Sequence, residues 1–195
     1  MDYFVYRTIK FIIKPFFMII HGPKYIGLNN IPEDGCVILA GNHTNPLDAF
    51  LMTTGPKRIV HMMAKKELFN SKLKKAFFKS VACISVDRSI HDEDAKNEAI
   101  KVLNNNGVIG IFPEGTINRT NDIILPFKYG AVSFAQKTNA YIVPFSITGS
   151  YNIFKRNLKL IYGKPYKVTG DLEVENEKLM KKVKELIKKG REMNE

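Results

Sequence analysis

The chain has 195 residues, enough for one domain with a sizeable core. Apolar residues make up 45% of it, which excludes a disordered chain, and 30 Lys+Arg against 19 Asp+Glu leave a formal net charge of +11. Such a balance favours anionic partners, whether nucleic acid, anionic lipid or a phosphorylated substrate, while two lone cysteines and the lack of any zinc-spaced Cys/His cluster exclude a disulfide scaffold and a metal site.

The N-terminus is apolar: Tyr3-Phe4-Val5-Tyr6, Ile9, Phe11-Ile12-Ile13, then Phe16 through Ile20. Arg7, Lys10 and Lys14 interrupt it at spacings of three and four, which puts them on one helical face. A spanning helix needs about 20 mostly apolar residues, and three cations count against that. No small-residue cleavage site follows, so a secretory leader is not supported. A basic stripe opposite a wide apolar face suits a helix lying in a membrane interface. Residues 1–22 are therefore read as a membrane-associating helix ended by His21-Gly22-Pro23, and residues 23–195 as the main domain.

Beyond it, strand-like and helix-like pieces alternate. Strands are expected at 36–40, 58–63, 83–86, 108–112 and 141–147, the fourth apolar throughout and so central. Helices are expected at 47–53, 66–80, 92–105, 129–138 and 174–189. In the second, Phe69, Leu73 and Phe77 share a face, with Lys72, Lys75 and Lys79 nearby; that basic side lies in solvent or on lipid headgroups. In the last, Leu179, Val183, Leu186 and Ile187 face inward. Segments 158–162 and 166–168 read as antiparallel additions near an edge. Cys36 and Cys83 fall in strand-like runs and read as buried reduced thiols. The pattern implies a single α/β domain, a largely parallel sheet flanked by helices.

Four segments carry the chemistry. Asn42-His43-Thr44-Asn45-Pro46-Leu47-Asp48 follows the run Val37-Ile38-Leu39-Ala40, which Gly41 ends. His43 and Asp48 thus fall in the loop leaving a central strand, where α/β proteins place their sites. Across a proline turn the carboxylate reaches back to the imidazole, holds one tautomer and raises the basicity of the other nitrogen. Arg88 directly follows the strand-like Ile84-Ser85-Val86 and projects a fork suited to phosphate, or pairs with Asp87 on the surface. Phe112-Pro113-Glu114-Gly115-Thr116 sets a carboxylate, a glycine and a hydroxyl after the central strand. Glu114 either accepts from a substrate hydroxyl or fixes Arg88 or Arg119, Gly115 admits a close ligand or an unusual φ, and Thr116 caps a turn or donates to an oxygen. Lys128 precedes a helix start, where amides and a cation together favour an anion. Val143-Pro144-Phe145 breaks a strand with proline, which suggests an edge or a bulge facing a site. His21, His61 and His91 read as non-catalytic.

Together these segments resemble the glycerolipid acyltransferase family, whose members acylate glycerol 3-phosphate or 1-acylglycerol 3-phosphate. Its N-H-x-x-x-x-D block is matched by Asn42, His43 and Asp48, its second block by Arg88, its F-P-E-G-T block by Phe112 to Thr116, and its V-P block by Val143-Pro144. Ala64-Lys65-Lys66-Glu67-Leu68 resembles a family segment whose lysine meets the acceptor phosphate, which points to Lys65. One place departs: many members carry an arginine after the threonine, where this chain has Ile117, with Arg119 the next cation.

The resemblance implies acyl transfer from an acyl-CoA or acyl carrier protein thioester to 1-acylglycerol 3-phosphate, making phosphatidic acid. His43 is then the general base and Asp48 its partner, while Lys65, Arg88, Glu114, Gly115, Thr116, Arg119 and Lys128 bind substrate. No cofactor beyond the donor is expected. The enzyme would sit peripherally at the cytoplasmic face of the membrane. Ile117 keeps open another lysophospholipid, a lyso-aminolipid or glycerol 3-phosphate as acceptor. Nucleic acid is not expected as a partner, since no recognisable module accompanies the charge. No G-x-S-x-G elbow supports a serine hydrolase.

Overall fold

The computed structural model describes residues 3–87, 89–90 and 92–193. Helix α1 runs over Phe4–His21 and stops at Gly22, whose φ of +55° turns its N–H onto the Met18 carbonyl. Tyr6 and Phe17 face the domain; the opposite side of the helix stays apolar and exposed. Lys10 is tucked inward, donates to the Pro56 carbonyl, and is pushed down to about 8 by burial and the nearby Lys14.

The strands are β1 (Lys24–Ile26), β2 (Val37–Gly41), β3 (Val60–Lys65), β4 (Cys83–Val86), β5 (Val108–Ile111), β6 (Tyr141–Thr148), β7 (Lys159–Tyr162) and β8 (Tyr166–Lys167). They form one sheet in the order β1-β7-β6-β2-β5-β3-β4, with β8 also on β6. Strands β7 and β8 run antiparallel to β6; the other pairings are parallel. Strand β2 is buried throughout because it lies mid-sheet, and β5 beside it is equally buried.

Side chains alternate between two cores. On one face, Val37 and Leu39 meet Phe17 of α1 and Leu51 and Met52 of α2 (Asp48–Thr54). On the other, Ile38, Ile109 and Ile142 meet Ala99 and Leu103 of α4 (Glu93–Asn104), Ala131 of α5 (Gly130–Thr138), and Leu179 and Val183 of α6 (Leu172–Glu192). The register pairs Ala40 with Ile111 and Lys65 with Val86, so β2, β5, β3 and β4 end along one edge. That edge carries the loops of interest.

Two expectations need correction, and one strand was not expected. The single helix at 66–80 is a 3-10 turn, Lys66–Phe69, and then α3, Lys72–Ser80. Ser71 separates them because its hydroxyl accepts the Lys74 N–H and so caps α3. Pro144 is neither at an edge nor at a bulge. It lies within β6, where the outer partner changes from β8 at Tyr141–Ile142 to β7 at Phe145–Thr148. Its carbonyl accepts from Gly163 N–H, in the link between those partners, so its missing N–H falls where no ladder bond is required. Finally, β1 carried too few residues to show a period, and it pairs parallel to β7.

Gly41 lies so close to β6 that a Cβ there would sit 2.2 Å from the Phe145 carbonyl oxygen. Gly41→Ala must therefore push β2 and β6 away from each other. The expected cost is about 1–3 kcal/mol, read as a lower urea midpoint at unchanged slope. An unaltered midpoint would contradict the register.

Candidate active site

Two backbone-like bonds fix the loop after β2. Asn42 is buried, its amide donates to the Ile147 carbonyl (2.9 Å) and its carbonyl accepts the Ile147 N–H (2.7 Å). The side chain thus continues the β2–β6 ladder one step past the strand. His43 comes next, and its carbonyl accepts from Asn118 N–H at 2.8 Å.

Asp48, the first residue of α2, is fully buried. Its Oδ2 accepts from His43 Nδ1 at 3.0 Å, Thr44 N–H at 2.6 Å and Asn45 N–H at 2.8 Å. Tyr151 donates its hydroxyl to Oδ1 at 2.5 Å. Burial and the Asp48 charge push the Tyr151 hydroxyl far above its ordinary range, so it stays a donor. An ionised carboxylate only accepts, hence Nδ1 of His43 carries the proton and Nε2 keeps a lone pair. The imidazole stacks on Phe112, centroids 4.0 Å apart and planes within 10°. Its side chain remains 15% exposed, which leaves it within reach of a ligand.

Glu114 is buried, and both its oxygens are used by backbone: Oε1 accepts His43 N–H and Oε2 accepts Leu125 N–H, each at 2.7 Å. Burial raises its pKa above the ordinary value, against those two bonds. It braces the histidine loop against residue 125. Gly115 has φ +70°, so only glycine sits there without strain. The Lys128 side chain runs across it: a Cβ on Gly115 would lie 3.0 Å from Lys128 Cε. Thr116 and Arg119 are exposed on the same loop. Around Arg119 the backbone folds onto Asn118, whose side chain takes the Thr120 N–H and reaches the Asp122 carbonyl. A cavity of about 250 Å³ lies beside this loop, its lining including Asn42, Thr44, Asn118, Thr148 and Arg191.

The structure therefore unites His43, Asp48, Glu114, Gly115 and Lys128. Lys65 is exposed at the same sheet edge, but β5 separates β3 from β2, roughly 10 Å from strand to strand. Arg88 and His91 lie outside the described residues. Asp87 before Arg88 holds Lys66 at 3.3 Å and Ser89. His61 is satisfied by Val108 O and Tyr3, and His21 by Tyr151 O. Sequence reasoning missed Tyr151 and the Phe112 stack. Tyr151 stands 103 positions from Asp48, so no local spacing announces it.

An acyltransferase family model matches residues 22–148. A 1-acyl-sn-glycerol-3-phosphate acyltransferase of Bacillus subtilis is 36% identical over 150 residues, covering 74% of this chain and 73% of that protein. One of Borreliella burgdorferi is 35% identical over 136 residues, 68% of this chain. The chain spans about half the length of that relative (53%). The crystal structure of the 1-acyl-sn-glycerophosphate acyltransferase PlsC of Thermotoga maritima shares the fold, with a TM-score of 0.78 at 24% identity, covering 97% of this chain and 79% of that one.

Replacing Glu114 by glutamine keeps the shape but leaves one of the two N–H donors facing an NH2 group. Glu114→Gln is expected to destabilise the chain by about 1–3 kcal/mol and to speed hydrogen exchange at the His43 or Leu125 amide. Unchanged stability and exchange would refute the brace.

Proposed function

The chain belongs to the acyltransferase family, and on that footing we propose that it transfers an acyl group from an acyl-CoA or acyl carrier protein thioester to the free hydroxyl of 1-acylglycerol 3-phosphate, yielding phosphatidic acid. The observation that carries this reading is the buried Asp48 carboxylate on His43 Nδ1, which leaves Nε2 of a partly exposed imidazole as a base.

In the proposed step Nε2 takes the proton of the acceptor hydroxyl, and that oxygen attacks the thioester carbonyl. The carbon–sulfur bond then breaks, and the thiolate recovers the proton from the imidazolium. Asp48 stabilises the transient positive charge, and Tyr151 and the Thr44 and Asn45 amides hold Asp48 still. No serine or cysteine nucleophile is required. Lys128, Lys65, Arg88 and Arg119 supply the positive charge for the acceptor phosphate. Glu114 contributes by fixing the histidine loop, and Gly115 and Thr116 border the acceptor. Positioning of this kind supplies several kcal/mol of barrier reduction, on the order of 5 or more.

The acceptor's location fits α1. Phe4, Phe11, Phe16 and Ile19 are 69%, 82%, 62% and 70% exposed, an outward apolar face that suits lipid. Among the described residues no helix is long and apolar enough to cross a membrane. We therefore place the protein peripherally on the membrane through residues 1–22, at the cytoplasmic face, where Cys36 and Cys83 would stay as the free thiols they are. A second reading, acylation of another lysophospholipid, a lyso-aminolipid or glycerol 3-phosphate, rests on Ile117 in place of a cation.

The purified protein is expected to turn over 1-acylglycerol 3-phosphate with either thioester donor. His43→Ala and Asp48→Asn should each lower kcat about a thousandfold or more, with circular dichroism unchanged. Full activity of His43→Ala would sink the mechanism. Faster turnover of an acceptor lacking a phosphomonoester would select the second reading. Tyr151→Phe should lower kcat about tenfold with KM little changed, because only the orientation of Asp48 is disturbed.

A further inference from the structure

Helix α3 buries none of its residues. Leu73 is 82% exposed and Phe77 49%, one turn apart on the same side. Lys72, Lys74, Lys75 and Lys79 are all exposed as well, and at 100° per residue Lys74 borders one flank of the Leu73–Phe77 strip while Lys72 and Lys79 border the other. Only Phe78 turns back, against Phe69 of the preceding 3-10 turn. A helix that gives its domain so little apolar contact is not held there by the core.

Topology decides on which face of the sheet α3 lies. The steps β2 to β3 and β3 to β4 advance in the same direction along the sheet, and α2 and α3 are their connections. Right-handed crossovers put both helices on the same face. Helix α2 packs with Phe17 of α1, so α3 shares the α1 side. The step β4 to β5 reverses, and α4 lies on the opposite core.

We propose that α3 is a second membrane-contacting helix: Leu73 and Phe77 enter the acyl region of an anionic bilayer, and the flanking lysines sit on lipid phosphates. This rests on the proposed function, in which the acceptor is a membrane lipid. With α1 and α3 both down, the catalytic edge, which carries Lys65 just before α3, is held at a set angle to the lipid that bears the acceptor. The flanking lysines match an anionic surface, and the apolar strip between them suits the depth at which acyl chains begin.

The chain contains no tryptophan, so single reporters are clean. Full-length Leu73→Trp and, separately, Phe11→Trp are mixed with phosphatidylglycerol-containing vesicles whose acyl chains are brominated. The proposal expects a blue shift and quenching for Leu73→Trp. Neutralising Lys72 and Lys74 to glutamine should weaken vesicle partition about fivefold per lysine, without change in circular dichroism. A Leu73→Trp emission that stays red and unquenched overturns the proposal, whatever Phe11→Trp does. Quenching at Leu73→Trp but not at Phe11→Trp would retain α3 and remove α1 as the contact. A shift of Leu73→Trp with acidic acyl carrier protein but not with vesicles also overturns it, in favour of a docking surface for that protein.

Discussion

The Asp48 carboxylate is a charge with no water around it. Burying it alone would be prohibitive, so the local chain is arranged to satisfy it. Two amides from the turn before it, the His43 ring and the Tyr151 hydroxyl all point at its two oxygens. Each of these donors is thereby fixed, and the histidine with them. The geometry of the loop after β2 is the solution to that one electrostatic problem. Its position at the start of α2 helps in the same sense, since the helix N-terminus favours a negative charge.

The scaffold around that charge is a matter of sheet topology. Parallel strands end together, and short loops leaving them share one edge. Asn42 extends the β2–β6 ladder beyond the last strand residue, and Glu114 ties the loop after β5 to the loop after β2. A buried carboxylate with both oxygens on backbone amides is a brace first, so substrate contact through Glu114 is secondary to its holding His43. The imidazole is then fixed from three directions: a carboxylate on its Nδ1, an aromatic ring stacked on its face and a carboxylate on its own amide.

The α1–α2–α3 side of the sheet differs from the other. Helices α4, α5 and α6 bury apolar residues in one core. Helices α1 and α3 leave large apolar side chains outside, with lysines beside them. Phe11 and Leu73 are each more than four-fifths exposed, which fits the membrane contact proposed for α1 and α3. On the proposed reading the two sides meet two solvents, and the edge that carries His43 lies at the end of the sheet that separates them.

Much is legible in the sequence because it is local. Continuous apolar runs separated by helical periods announce the parallel sheet, and a histidine five positions from an aspartate after such a run announces a pair that a single turn closes. The setting of the proline in β6 and the short β1 do not show in the sequence, since each depends on what lies beside the chain rather than along it, whereas the break at Ser71 is a local cap on the Lys74 N–H that the helical period masks. Tyr151 and the Phe112 stack are silent for the same reason: their partners are remote in sequence and near only after the sheet orders β6, β2 and β5. Chain spacing alone determined the fold type and the His43–Asp48 pair, because the alternation of apolar runs with helical periods and a five-residue span are both read along the chain. Only the tertiary structure decided that Glu114 braces rather than projects, that Tyr151 completes the pair, and which helices share a face, because strand order and crossover handedness are properties of the assembled sheet.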